Sequence, residues 1–337
     1  MKFKKVFSDK LIHCYAVLHL QNADHDYLIV ASEEDAACYA YNLDNHYEKT
    51  TVWENIGGTM TMVQIPNTLD FLATQRFYPG FNASQCIIVR EHFNGIGWDK
   101  KVVGFFPYVH RFDIVPKGPH TYWFVGCSIA NSKKSVDDWS DPGKIWIGEF
   151  NDTLNQIQEL RALDVKLFKN HGYYRVPKQN FSFITAEEGI FKLNYPSSGS
   201  DWVLEKVSDT ETSDIAMCDV DNDGKSEFLT IEGFHGPYLS VLNACFEPVI
   251  HTEPLTPFGH AIWGGQLEGE PGFIFGYRAG NRDLLWLTLN NSQLKYTLID
   301  KNVGSSNVLT YFKNHESFIL SANRESSEIA VYLVSNG

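Results

Sequence analysis

Hydrophobic residues in this chain form pairs of short apolar runs that recur along most of its length. In the clearest pair, residues 214–218 and 228–231 flank an acidic turn. Runs of this length between turn residues predict β-strands rather than helices. Seven pairs align at spacings of about 40 to 60 residues, which is typical of four-stranded propeller blades. The first runs are 14–20, 59–65, 111–115, 173–176, 214–218, 261–267 and 308–312.

Two further strands follow each pair. The third run, such as 86–90 or 144–148, is again apolar, whereas the fourth, such as 202–207 or 294–299, is more polar. Apolar runs suit strands that are covered on both faces, and alternating runs suit edge strands. The last repeat stops after its third strand, and residues 2–8 resemble the missing fourth one.

We therefore predict an all-β chain that forms one domain over residues 1–337. The predicted architecture is a seven-bladed β-propeller of four-stranded antiparallel blades. Its N-terminal strand is expected to close the last blade and so to remove the free edges of an open ring.

Charge and composition narrow the classes of partner. The formal net charge is −13, so a nucleic-acid phosphate backbone would be repelled. No apolar segment predicts a signal peptide or a membrane span, and the six cysteines lie mostly in apolar runs. We expect a cytoplasmic protein with a small sugar-like substrate and no nucleic-acid or membrane partner. The sequence leaves a homo-oligomer open.

Several histidines are expected at one face of the propeller. First strands start, and second strands end, on the same face because they run antiparallel. Four interpretations stay open: hydrogen bonds between blades, ligation of one divalent metal, metal-free acid–base catalysis, and contacts to a bound sugar. Four first strands have a histidine at or just before their start: His13, His110, His171 and His260. A fifth histidine, His235, follows a second strand. The metal set would be His110, His171, His235 and His260, holding Zn, Mn or Mg.

Arginines, carboxylates and aromatic residues are predicted on the same face. A guanidinium group in an enclosed site needs an anionic partner. That partner is either a substrate or a carboxylate of the same ring, from Glu33, Glu187 or Glu232. The catalytic candidates are His13, His110, His171, Arg76, Arg278 and Tyr78, and the substrate-binding candidates are Glu33, Glu187, Arg324 and Trp263.

The acidic turn between residues 218 and 228 predicts a separate cation site on the opposite face. Alternate carboxylates, a glycine at position 224 and a closing glutamate suit calcium, and the flanking strands exclude an EF-hand. The predicted ligands of a structural calcium are Asp219, Asp221, Asp223 and Glu227. The alternative is a metal-free turn in which these side chains hydrogen-bond the backbone.

This acidic turn resembles the FG-GAP or VCBS repeat of integrin-like propellers. Together with residues 259–261 and 109–114, it makes the chain similar to the aldos-2-ulose dehydratase and anhydrofructose dehydratase group. The resemblance implies carbohydrate metabolism and a carbon–oxygen lyase, a sugar dehydratase. The expected substrate is a keto-sugar or uronide, and the reaction is proton abstraction followed by β-elimination, or isomerisation. A His-bound metal or an arginine would stabilise the enolate.

Two rival functions remain. One is a non-catalytic propeller that binds a glycan or protein partner. The other is a hydrolase that uses Glu33 or Glu187 with Asp214, although no carboxylate pair at a catalytic separation is identified.

Overall fold

The structure is a computed structural model that describes residues 1–79, 82–197, 199–252, 258–290 and 293–336. The described residues form 28 β-strands, one short 3-10 helix at Arg324–Ser326 and no α-helix. The strands assemble into seven antiparallel sheets of four strands each. The predicted all-β class and the four-stranded repeat are therefore confirmed. Within the described ranges, no helix is long and apolar enough to cross a membrane.

Six of the seven sheets are built from four consecutive strands, and the last sheet also includes the first strand of the chain. The 28 strands have the following bounds. They are β1 (Lys2–Lys10), β2 (Cys14–Gln21), β3 (Asp26–Ser32), β4 (Cys38–Asn42), β5 (Glu48–Trp53), β6 (Met62–Gln64), β7 (Phe71–Gln75), β8 (Ile87–Phe93), β9 (Trp98–Phe105), β10 (Val109–Gly118), β11 (Thr121–Ser128), β12 (Ile145–Asn151), β13 (Gln156–Ala162), β14 (Gly172–Arg175), β15 (Phe181–Ala186), β16 (Gly189–Asn194), β17 (Val203–Ser208), β18 (Thr212–Cys218), β19 (Glu227–Glu232), β20 (Tyr238–Leu242), β21 (Pro248–His251), β22 (Gly259–Leu267), β23 (Glu270–Tyr277), β24 (Leu284–Asn290), β25 (Gln293–Asp300), β26 (Ser305–Lys313), β27 (Glu316–Asn323) and β28 (Glu328–Ser335).

Contacts within the chain define two compact units. Unit A is Leu11–His171, and unit B is Met1–Lys10 together with Gly172–Gly337. Unit A holds three sheets, β2–β5, β6–β9 and β10–β13, each in chain order. Unit B holds β14–β17, β18–β21 and β22–β25, and a last sheet in the order β26, β27, β28, β1. The single domain over residues 1–337 stays a prediction.

The N-terminal strand completes the last sheet, as predicted. Strand β1 pairs antiparallel with β28, from Lys2 opposite Ser335 to Lys10 opposite Glu328. Lys5 Nζ lies 2.8 Å from Asp300 Oδ2 and 2.9 Å from Glu328 Oε2. The last sheet is thus fastened by main-chain pairing and by ion pairs.

Apolar side chains between neighbouring sheets form the core of each unit. In unit A, Phe71 and Ala73 of β7 pack against Ile29 and Ala40 of the preceding sheet. In unit B, Trp286 belongs to a cluster that joins β22–β25 to the last sheet. The inner strands are buried on both faces because such clusters lie on either side of them, which explains their continuous apolar runs. All six cysteines lie in the described ranges; none forms a disulfide, and only Cys245 is exposed.

Candidate functional site

Two of the predicted histidines occupy β-bulges near the starts of their strands. The pairing of β10 with β11 shifts between Val109 and Arg111, and that of β22 with β23 shifts between Gly259 and Ala261. His110 and His260 are therefore the extra residues of the two bulges. A bulge changes the direction in which a side chain points, and bulges occur often beside functional sites.

The bulges correct the predicted alignment of the histidines. Shifts of the same kind in β2, β18 and β26 place Tyr15, Ser213 and Ser306 at the bulged position. His13 precedes the bulge of β2 by two residues, so it is not equivalent to His110 and His260. Sequence reasoning aligned His13 with these histidines because each of them precedes an apolar run, and an offset of two residues leaves no hydrophobic signal.

In unit A, His110 contacts His171. Their ring centroids are 4.3 Å apart, and both residues are buried. His110 Nε2 is 3.2 Å from the hydroxyl of Tyr15, and the ring of Phe77 packs edge-on at 5.5 Å. The hydrogen bond joins the bulged residues of two different sheets, so it supports the structural interpretation of this histidine as much as a chemical one.

In unit B, three rings form what we call the imidazole stack: His235, Phe258 and His260. The centroids of His235 and His260 are 5.1 Å apart with the rings 12° from parallel. Phe258 lies 4.5 Å from His235 at 13°. The main chain holds this arrangement, because Phe258 N donates to His235 O at 3.1 Å. The structure therefore brings together His235 and His260, as predicted.

The protonation site of His260 follows from its partner. His260 Nδ1 lies 2.6 Å from the main-chain oxygen of Ser306. A carbonyl oxygen only accepts, so Nδ1 carries the hydrogen, and Nε2 of the neutral ring carries the lone pair. His260 can therefore act as a base or a metal ligand through Nε2.

Two of the predicted arginines lie beside the imidazole stack and share one carboxylate. Arg278 Nε donates to Glu325 Oε1 at 2.9 Å, and Arg324 Nη1 donates to the same oxygen at 2.7 Å. The Arg278 guanidinium carbon is 4.7 Å from the centroid of Phe258. Arg278 N also donates to Phe258 O, which ties the arginine to the stack. We call Arg278, Arg324 and Glu325 the arginine cluster.

Glu325 was missed by sequence reasoning, which considered Glu33, Glu187 and Glu232 as partners of the arginines. Burial alone would raise the pKa of Glu325, but the hydrogen bond from Arg278 and the charges of Arg278 and Arg324 outweigh it and hold that pKa below 4.5. Glu325 lies in the 3-10 helix after β27, one position beyond Arg324. A single turn of 3-10 helix leaves no periodic pattern in a sequence, so this contact was not predictable from strand alignment.

The other arginine, Arg76, lies in unit A with Tyr78. Arg76 directly follows β7, has a positive φ of 64° and is exposed. Burial and the charge of Asp35 raise the pKa of Tyr78, and Arg76 opposes them. A phenol with a raised pKa stays protonated at neutral pH, so Tyr78 suits a hydrogen-bond donor or a general acid rather than a base.

A second group in unit A joins His13 to Glu33 and Glu34. Their ligand atoms lie within 4.8 Å of one another, and His13 Nδ1 is 2.7 Å from Glu34 Oε1. Glu33 is buried, whereas His13 and Glu34 are half-buried. The predicted meeting of a first-strand start with a second-strand end is therefore observed in this sheet.

Two of the substrate-binding candidates, Trp263 and Glu187, are not members of the groups described above. Trp263 lies three residues beyond His260 along β22 and is partly buried against the core cluster of its sheet, and its assignment to sugar binding stays a prediction. Its aromatic character reflects packing, which sequence reasoning cannot separate from stacking on a ligand. Glu187 lies in the turn between β15 and β16 and is exposed.

The acidic turn joins β18 to β19, as predicted, and gathers three of its four carboxylates. Ligand atoms of Asp219, Asp221 and Glu227 lie within 4.8 Å of one another. Asp223 is not in this group, and its Oδ1 accepts from Lys225 N at 2.7 Å; its assignment as a ligand stays a prediction. Burial raises the pKa of Glu227, and the charges of Asp221 and Asp223 add to this effect.

One observation supports a cation in this turn. Among the described residues, no group hydrogen-bonds to Asp219 Oδ1, although this atom is buried. A buried carboxylate oxygen is costly without a partner, and a hard cation would supply one. The residues therefore fit calcium, although the turn also contains the hydrogen bonds of the metal-free alternative, such as Gly224 N to Asp219 Oδ2 at 3.1 Å.

No protein-family model matches this chain, and no curated protein is significantly similar to it. Solved structures do. A virginiamycin B lyase from Staphylococcus aureus is similar over 99% of this chain and 100% of its own, with a TM-score of 0.63 at 14% identity. The WD40 β-propeller domain of Doa1 is similar over 98% of this chain and 96% of its own, with a TM-score of 0.62 at 12% identity.

The chain is a seven-bladed β-propeller. At these identities the likeness shows the fold alone, and one of the two similar propellers is a lyase by name. The resemblance to FG-GAP repeats and to the sugar dehydratase group has no matching family model, so it stays a hypothesis.

Proposed function

We propose that this propeller is a lyase acting on an acidic or keto-sugar substrate, such as a uronide. The observation that carries the proposal is the contact between the arginine cluster and the imidazole stack in unit B, where Arg278 lies over Phe258. A carboxylate-binding group and a proton acceptor are thereby adjacent. The lyase name of one similar propeller agrees with this assignment.

The chemistry follows from the roles of two residues. Arg278 Nε is bonded to Glu325, which leaves its terminal amino groups for the carboxylate or carbonyl oxygen of a sugar. The bound guanidinium would stabilise the negative charge that develops on that oxygen. His260 Nε2 would take the proton from the adjacent carbon. The C–H electrons then form the new double bond, and the β C–O bond breaks with its electrons on the leaving oxygen.

We also propose a divalent metal held by imidazoles, and within unit B His235 and His260 would supply two of its ligands. His260 has the Nδ1–H to carbonyl contact that commonly orients a metal-bound histidine, so it fits a ligand role. Such an ion would polarise the substrate oxygen. Each unit by itself provides a pair of imidazoles, His110 with His171 and His235 with His260, whereas a zinc site takes three or four protein ligands.

We also propose that the acidic turn holds a structural calcium ion through Asp219, Asp221 and Glu227. The buried Asp219 Oδ1 supports this assignment. The ion would tie the β18–β19 turn together and take no part in the reaction.

A non-catalytic propeller that binds a glycan or a protein is the second candidate. The hydrogen bonds of His110 to Tyr15 and of His260 to Ser306 favour it, because both join bulged residues of different sheets and so explain these histidines by structure alone.

A substrate screen separates these functions. Purified protein is incubated with uronides and keto-sugars, and new conjugated double bonds are followed by ultraviolet absorbance. His260→Ala should lower kcat by about 100-fold or more, as expected for loss of a general base. Arg278→Ala should lower kcat/KM, and Arg278→Lys should restore only part of it, since lysine lacks the planar fork.

The matched controls are His315→Ala and Arg161→Ala, which remove an exposed histidine and an exposed arginine. Both should retain wild-type activity. Absence of elimination on every substrate, or equal losses in the controls, would reject the lyase in favour of the binding module. Elemental analysis of the wild type and of His260→Ala tests the metal separately.

A further inference from the structure

A basic cavity lies on the outer strands of the second sheet of unit A. Its volume is about 330 Å³, and it is lined by Arg90, His92, Asp99, Lys100 and Lys101. Three permanent cations and one carboxylate line it, and a second carboxylate, Asp70, pairs with Arg90, so one positive charge is left over in a chain whose net charge is −13. Such a local reversal of charge marks a place where an anion is attracted.

The pairing of β8 with β9 concentrates these side chains. Arg90 lies opposite Lys101, and His92 lies opposite Asp99, so all four share one face of the sheet. Like charges directly opposite each other destabilise a sheet. Asp70 compensates the charge of Arg90, and a bound anion would compensate that of Lys101.

A buried carboxylate holds two of the basic groups in place. Asp70, 5% exposed, accepts from Arg90 Nε at 2.9 Å, from His92 Nδ1 at 2.9 Å and from Phe93 N at 2.8 Å. Burial alone would raise the pKa of Asp70, but the hydrogen bonds from His92, Phe93 and Arg90 hold it below 3.8. The carboxylate is thus ionised and saturated with donors.

This anchoring presents the basic groups to the cavity. Arg90 is fixed further because its Nη1 donates to Asp152 O, and its side chain is only 18% exposed. His92 turns Nδ1 towards Asp70, so Nε2 lies on the opposite edge of a ring that is 59% exposed. Asp99 is held by Asn94 Nδ2 at 2.9 Å. A pre-organised arginine and histidine beside two lysines require little reordering to bind a ligand.

We propose that this basic cavity binds a phosphate dianion carried by a small molecule. A phosphate group offers several acceptor oxygens and a double negative charge, which match donors from several directions. The volume of the cavity suits a small phosphate ester, since ligand pockets begin at about 300 Å³. This site is distinct from the proposed lyase site, and either can fail without the other.

Isothermal titration at low ionic strength tests the proposal with three probes: inorganic phosphate, glycerol phosphate and acetate. Saturable binding of either phosphate probe, at least about tenfold tighter than that of acetate, is expected. Tighter binding of glycerol phosphate would assign the site to an ester, and equal or tighter binding of inorganic phosphate would assign it to the free ion.

Variants locate the binding. Lys101→Ala should weaken phosphate binding about tenfold, and Lys101→Arg should restore it. The matched control is Lys295→Ala, an exposed lysine on outer strand β25 of unit B, which removes the same charge and should change the affinity less than about twofold. No saturable binding, acetate binding as tight as phosphate, or equal weakening by both alanine variants would overturn the proposal.

Discussion

Glu91 makes the stability of this propeller depend on pH in an unusual direction. The residue lies in β8, is 1% exposed, and faces the side of the sheet opposite the basic cavity. Within the described part of the chain, nothing hydrogen-bonds to its buried Oε1. Burial is the main cause that raises its pKa from 4.5 to about 8, against the opposing charge of Lys100.

The magnitude follows from the two pKa values. In the folded state the protonated form is favoured, so stability is full below pH 4.5 and is lost as the pH rises through about 8. At 1.36 kcal/mol per pH unit, the loss amounts to roughly 4–5 kcal/mol over this range. This is a large share of the roughly 5–15 kcal/mol that stabilises a typical domain.

Glu91→Gln removes the ionisation while keeping the shape of the side chain. We expect the variant to match the wild type near pH 5 and to be more stable by several kcal/mol at pH 8.5. Urea unfolding, followed by the fluorescence of the eight tryptophans at constant ionic strength, measures the difference. Glu270→Gln, an exposed glutamate, is the control and should leave the profile unchanged.

Two results would refute this reasoning. A wild-type profile that is flat between pH 5 and 8.5 would show that Glu91 is ionised and solvated in the fold. A variant that keeps the wild-type slope would assign the slope to another group.

Three further predictions concern stability. Calcium should raise the melting temperature of the wild type, measured by differential scanning calorimetry. Asp219→Asn should abolish this increase, whereas Asp223→Asn should largely keep it. An increase that is unchanged in both variants would exclude the acidic turn as the calcium site. Lys5→Ala, which removes the ion pairs to Asp300 of β25 and Glu328 of β28, should destabilise by about 1 kcal/mol in urea unfolding at low salt, and the exposed Lys4→Ala should have little effect. Phe71→Ala should destabilise by about 3–5 kcal/mol, because the side chain is fully buried; a loss below about 1 kcal/mol would contradict the packing.

The sequence determined the architecture because strands and turns leave local signals. Apolar runs with turns between them identified the inner strands, and the polar fourth strands identified the edges. The closing role of residues 2–8 followed from counting strands, since a repeat that lacks one strand must obtain it elsewhere. The acidic turn was recognisable for the same reason, because its carboxylates are neighbours along the chain.

Contacts between distant residues were decided only by the tertiary structure. The start of a strand has no sharp hydrophobic signal, so His13 was aligned with His110 although His13 lies two residues before the bulged position of its strand. Glu325 reaches Arg278 across 47 positions through a single turn of 3-10 helix. The packing of Trp263 against the core was not predicted, because an aromatic side chain looks the same in a core and in a site.

The basic cavity also combines features that the sequence shows with contacts that only the tertiary structure decides. Arg90, His92 and Lys101 were visible as charged residues of two strands, but no pattern marked them as a group. The pairing of β8 with β9 and the buried Asp70 bring them together. Periodicity in a sequence reports which side chains avoid water, and it therefore specifies strands and sheets. The direction and the partners of a polar side chain depend on groups far away in the chain, and these are set only when the sheets pack.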